Sequence, residues 1–132
     1  MNPGISITSI ASVSPLGATT EAIWQAYLNG QHCFNIKDFG SFKALLAPLP
    51  ECSKAEVENL KLENSHYKNL DNSVLYAILA SRKAVQQAGW EKESSFGVNL
   101  GSSRGATQLF EKYHEGFLAN GKTETLTSPT TT

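Results

Sequence analysis

A chain of 132 residues is long enough for about one domain with a buried core. With 40% hydrophobic and 17% charged residues, its composition is that of an ordinary globular protein and excludes a largely disordered or bilayer-spanning chain. Lysine plus arginine number 11 against 12 acids, so no global field gathers nucleic acid or anionic lipid, and no nucleic-acid partner is expected.

The opening "MNPGISITSIASV" lacks the basic segment and continuous apolar run of a secretory signal, and no N-x-S/T sequon occurs, which predicts a cytoplasmic protein without a membrane span. Within "GISITSIASVSPLG", Ile5, Ile7, Ile10 and Val13 predict a buried strand that ends in a turn at Pro15 and Gly17. Thr19 or Thr20 then caps a helix whose apolar side chains Ile23, Trp24, Tyr27 and Leu28 recur at helical spacing, with Glu21 in the first turn and Gly30 as the stop. Residues 31–50 read as irregular; "FKALLAPLP" has room for a short strand, which Pro48 and Pro50 would confine to an edge.

Ser53 and Glu56 form an S-x-x-E capping box ahead of Val57 and Leu60, predicting a short helix over 54–62. In "LDNSVLYAILASRKAVQQAGW" a longer helix starts at Asp71 and stops at Gly89, with Val74, Ala77, Ile78, Ser81, Ala84, Val85 and Ala88 on one face. So many alanines there would let the helix approach a sheet closely. "FGVNLG" reads as a second buried strand, and "GATQLFEKYHEGFLANG" as a helix with Leu109, Phe110, Tyr113 and Phe117 inward. This order predicts an α/β sandwich with an at least partly parallel sheet, although the strands are few. The tail "LTSPTTT" stops without a terminating element, as if the sequence were cut; so short a stretch is too little for a Ser/Thr stalk.

Cys33 and Cys52 are the only cysteines and lack metal-ligand spacing, so two reduced, partly buried thiols are expected, with no metal and no cofactor. The turn "GSSRG" at 101–105 spells G-x-S-x-G, the pattern of a hydrolase nucleophile elbow centred on Ser103. A hydrolase needs an acid and then a histidine downstream, and the histidine after Ser103 is His114 on the same predicted helix, roughly 16 Å along its axis. His32 and His66 lie upstream in loop-like segments. The turn also lacks G-x-G-x-x-G and G-K-[ST], so no phosphate is predicted there. Gly101, Ser102, Ser103 and Gly105 therefore read as a structural turn where the backbone bends sharply beside a close neighbour.

Three ordered segments carry a family resemblance. "ISITSIASVSPLGATTEAIWQAYLNGQHCF" resembles the opening strand, S-P-L-G turn and first helix of the β-ketoacyl-acyl carrier protein synthases, condensing enzymes of the thiolase-like superfamily. "LDNSVLYAILASRKAVQQAGW" is similar to the family helix with Asp near its start and Ala-Gly at its close. "FGVNLGSSRGATQLFEKYHEGFLANGKTETLTSP" resembles the family segment with its G-S-x-x-G turn, long helix and Ser-Pro.

The resemblance implies a thiolase-like layered α/β sandwich, of which residues 1–132 would be the N-terminal portion, ending before the nucleophile. It implies an acyl carrier protein as partner and a homodimer, or a heterodimer with a second synthase-like subunit. In such enzymes a cysteine on a later strand-to-helix turn takes the acyl group from a carrier thioester, and two histidines assist decarboxylation of malonyl thioester and carbon–carbon bond formation. No catalytic residue is placed in this chain, and by itself the chain is expected to be inactive. The resemblance sets the G-S-x-x-G turn beside the acyl tunnel near the dimer interface, and makes Arg104 a candidate substrate-binding residue on the tunnel wall; a solvated arginine at a helix start is the other reading. Ser9 and Ala11 stand where the family has the glycines of T-G-x-G, and Arg104 where it has a small or apolar residue. A catalytically silent partner subunit of the chain-length-factor kind and a truncated serine hydrolase using Ser103 remain as alternatives.

Overall fold

The computed structural model describes residues 4–122. In chain order it contains α1 (Thr20–Leu28), an antiparallel hairpin of β1 (Asn35–Asp38) and β2 (Lys43–Leu46), α2 (Glu51–Glu63), a 3₁₀ turn (Ser65–Asn69), α3 (Asn72–Gln87) and α4 (Thr107–Asn120). The architecture is mixed helix and small sheet.

Local chemistry explains most of the helix ends. Thr19 caps α1 by accepting the Ala22 N–H at 3.2 Å, and Gly30 follows with φ +60°, a value glycine adopts without penalty. Asp71 caps α3 as expected. Helix α2 differs: it starts earlier, at Pro50, whose carbonyl accepts the Lys54 N–H at 3.1 Å, while Ser53 sits inside the helix and is buried. The Ser53–Glu56 capping box does not form because proline already supplies the helix entry, and Glu56 instead accepts from Lys83 Nζ at 2.7 Å.

The core lies where α2, the 3₁₀ turn and α3 meet. Val57, Leu60 and Leu75 are its buried centre, and Tyr67, Leu70, Tyr76, Ile78 and Leu79 pack around them. Leu75, fully buried, lies off the alanine-rich stripe expected to face inward; that stripe is at most half-buried, and Ser81 is exposed. The chain folds α2 back onto the leucine side of α3, which leaves the alanine side without a sheet among the described residues. Ion pairs tie α3 to α2 from neighbouring residues: Lys83 to Glu56, and Arg82 to Glu63, with the Arg82 guanidinium 5.7 Å from the Tyr67 ring centre.

Neither expected strand is paired among the described residues. Residues 4–13 and 96–100 make no backbone–backbone hydrogen bond among the described residues, and Ile5, Ile7, Ile10, Val98 and Leu100 are exposed rather than buried. Their β-branched pattern reports a demand for burial, and a ladder forms only when a partner strand answers it. The hairpin lies in the stretch read as irregular, and its β2 is the short edge strand for which "FKALLAPLP" had room. It pairs Ile36 with Leu45 and turns through Phe39–Phe42, where Gly40 takes φ +83° and the two phenyl rings stack at 5.0 Å.

The N-terminal segment is nevertheless anchored. Ser14 and Gly17 close the S-P-L-G turn, and a Cβ on Gly17 would lie 2.8 Å from the Ala22 Cβ, so only glycine fits against the start of α1. Ser9 donates its hydroxyl proton to the Ala84 carbonyl of α3 at 2.8 Å. Helix α4 also turns out differently from expectation: Leu109 and Tyr113 are half-buried, but Phe110 and Phe117 are exposed, because among the described residues no sheet covers that side.

The core assignment is testable by truncation. Leu75→Ala should lower unfolding free energy by about 2–5 kcal/mol, as for other fully buried leucines, whereas the exposed Leu62 replaced by alanine should change it by no more than about 0.5 kcal/mol. Urea denaturation of both variants measures the difference, and equal midpoints would remove Leu75 from the core.

Candidate functional site

The turn that carries the G-x-S-x-G pattern leads into α4. Its internal bond belongs to Ser102, whose hydroxyl oxygen accepts the Gly105 N–H at 2.9 Å. Gly105 takes φ +64°, so a side chain there would be strained. Gly101 is different: a Cβ would meet nothing within 4 Å, so the close neighbour expected on that side is not among the described residues. Ser103 forms no hydrogen bond among them, and Arg104 is exposed without an ion pair among them.

The histidines do not converge on this turn. His114 lies on α4, its ring stacked on Phe110 at 5.9 Å; His32 lies 6.0 Å from the Phe34 ring; and His66 belongs to the 3₁₀ turn, its N–H donated to Asn64. No bond between Ser103 and a base occurs among the described residues, so the geometry gives no support to hydrolase chemistry. Cys52 is exposed in the first turn of α2 rather than partly buried, while Cys33 is half-buried. Among the described residues, no group of three His, Cys, Asp or Glu side chains is placed to hold a metal ion, and no helix is long and apolar enough to cross a membrane.

The strongest polar construction beside the turn is centred on Asp71, which the sequence marks only as the cap of α3. Its carboxylate is buried at 6% exposure. Oδ1 accepts the Ser73 N–H and the Ser73 hydroxyl, each at 2.8 Å, while Oδ2 accepts the N–H of Gln108 in the first turn of α4 at 3.0 Å. Helix α4 lacks a capping side chain of its own, because its N-cap is Ala106, so the carboxylate of Asp71 serves both helix starts. The Ser73 hydroxyl also lies 3.3 Å from the Gly105 carbonyl; with one proton to give, it favours the nearer, charged acceptor. Burial pushes the Asp71 carboxyl up, but the hydrogen bonds from Ser73, Gln108 and Leu109 together outweigh it and hold the group below the ordinary carboxylate range. No short sequence signal links Asp71 to Gln108, since the contact depends on how α3 and α4 meet.

These features define a chain of mixed helix and small sheet in which Asp71 caps the helix that follows the glycine-rich turn and Ser103 bonds to no base among the described residues. Residues 2–131 match the family model for the β-ketoacyl synthase N-terminal domain, and the chain belongs to that family. It is similar to 3-oxoacyl-[acyl-carrier-protein] synthase 2 of Vibrio cholerae serotype O1, at 29% identity over 87% of this chain and 29% of the relative. The synthase of the same name from Rhizobium meliloti is 30% identical over 77% of this chain and 27% of its own length, and that from Coxiella burnetii 30% identical over 87% and 29%. The chain thus spans less than a third of these relatives. No solved structure matches.

Two outcomes follow from the site. A fluorophosphonate probe should leave Ser103 unlabelled, with no difference in Ser103→Ala; stoichiometric labelling lost on that substitution would restore the nucleophile. Because the folded-state pKa of Asp71 is lowered, its stabilisation is present above the unfolded carboxyl value of about 3.9 and is lost as pH falls through the folded value. Asp71→Ala should cost about 1–3 kcal/mol at pH 7 and less in acid, a convergence that denaturation at several pH values would detect.

Proposed function

We propose that this chain is the N-terminal portion of a β-ketoacyl synthase that condenses a carrier-bound acyl group with malonyl-acyl carrier protein in fatty acid or polyketide-type synthesis. The match of residues 2–131 to the family's N-terminal domain carries the reading, and the relatives, named as 3-oxoacyl-[acyl-carrier-protein] synthases, support the reaction. In the complete protein, the nucleophilic cysteine and the histidines lie downstream of Thr132. The partner is an acyl carrier protein, the assembly a homodimer or a heterodimer with a synthase-like subunit, and the compartment the cytoplasm.

The unpaired apolar segments support the layered fold in this reading. Residues 4–13 and 96–100 become strands of the sandwich when the rest of the domain supplies ladder partners, and the half-buried alanine side of α3 packs beneath that sheet. The turn Gly101, Ser102, Ser103 and Gly105 lines the acyl tunnel as a structural element, and Arg104 faces the tunnel as a substrate-binding residue. A guanidinium in that position must find a partner, since an isolated buried charge costs several kcal/mol. It shortens the apolar space or selects an acyl group bearing an acceptor at its far end.

Replacing the arginine tests this placement. Arg104→Ile in the complete protein should raise relative kcat/KM for longer acyl groups by about tenfold or more, the range that one methylene commands in an apolar pocket. Product profiles over a series of acyl lengths measure it; unchanged profiles leave Arg104 in solvent. Absence of any condensation by the parent, with acyl and malonyl carrier thioesters supplied, would favour the silent partner subunit.

A further inference from the structure

Asp71 does more than a helix cap requires. An N-cap carboxylate normally satisfies one or two N–H groups of its own helix, yet here one oxygen is committed to α3 and the other to α4. Residues 96–104, immediately before α4, take part in no backbone–backbone hydrogen bond among the described residues. On its far side the turn meets buried Ala106 and the Gln108 N–H, with the Ser73 hydroxyl near the Gly105 carbonyl. The turn is therefore located chiefly from α3, through one carboxylate.

We propose that Asp71 is a positioning residue for the 101–105 turn, and that by fixing the start of α4 it sets the acyl-length preference of the synthase. This rests on the reading of the turn as tunnel wall. Two helix N-termini directed at one carboxylate place partial positive charge on both sides of it, which favours the ionised group and a single geometry. Loss of the α4 bond leaves the Gln108 N–H without its acceptor and frees the turn to shift relative to α3. Among the described residues the Asp71 carboxylate bonds only to Ser73 and the start of α4, so the effect falls on discrimination between acyl groups and not on the chemical step itself.

Asp71→Asn and Asp71→Ser separate the two duties. Asparagine and serine both remain good caps for α3, but asparagine must turn its amide nitrogen toward the Gln108 N–H, and serine has one oxygen and a shorter reach. Amide hydrogen exchange should accelerate at Gln108 by about tenfold or more in both variants, the equivalent of one hydrogen bond, while Ser73 keeps its protection. In the complete protein, kcat/KM ratios between short and long acyl-carrier substrates should change by about tenfold, with kcat for the best substrate altered less than about twofold. Unchanged exchange at Gln108, or equal slowing for all acyl lengths, overturns the proposal. So does unfolding of both variants, which would make Asp71 a requirement of the fold rather than of the turn. If the parent condenses nothing, the enzymatic reading fails, while the exchange measurement still judges whether Asp71 holds α4.

Discussion

A buried carboxylate shared between two helix starts organises the polar side of this structure. Asp71 satisfies N–H groups of α3 and α4 that would otherwise be left without acceptors. Its burial opposes ionisation, and the donors around it reverse that effect. Helix α3, carrying Asp71 at its start, also supplies Leu75 to the core and receives the Ser9 hydroxyl at Ala84. Alignment of the N-terminal segment, α2 and the glycine-rich turn thus depends on one helix.

The apolar surface has a different logic. Trp24, Tyr27 and Leu28 of α1, Ile36 and Leu45 of the hairpin, and Phe110 and Phe117 of α4 are all exposed. Exposed apolar side chains at this density mark surfaces suited to contact with further protein, and the chain spans less than a third of its relatives. The buried core among the described residues is small, built on Val57, Leu60 and Leu75.

Features governed by neighbouring residues were legible in the sequence. Thr19, Asp71, Gly30 and Gly89 bound their helices as capping chemistry requires. The turn at 101–105 was recognisable, although its hydrogen bond uses Ser102 rather than Ser103. Features governed by distant partners were not. The pattern of Ile5, Ile7 and Ile10 cannot state whether a neighbouring strand is present, and an alanine stripe on α3 does not reveal that α2 will take the adjacent leucine face. Ser53 with Glu56 satisfied a capping motif, yet Pro50 began the helix one turn sooner and Lys83 claimed the carboxylate. The second duty of Asp71 required the α3–α4 geometry, and the serine at position 9 showed its use only once its hydroxyl met the Ala84 carbonyl.

The neighbouring cations Arg82 and Lys83 have a mechanical consequence. Successive residues point about 100° apart around a helix, so these two reach α2 from different sides of α3, toward Glu63 and Glu56 respectively. Their acceptors are two turns apart along α2. Rolling α3 about its own axis would stretch one pair while crowding the other, and sliding it lengthwise would mismatch both. Each pair is weak as a source of stability where water reaches it, but together they act as a vernier, giving α3 one rotational setting from which Asp71 and Ala84 present their acceptors in fixed directions.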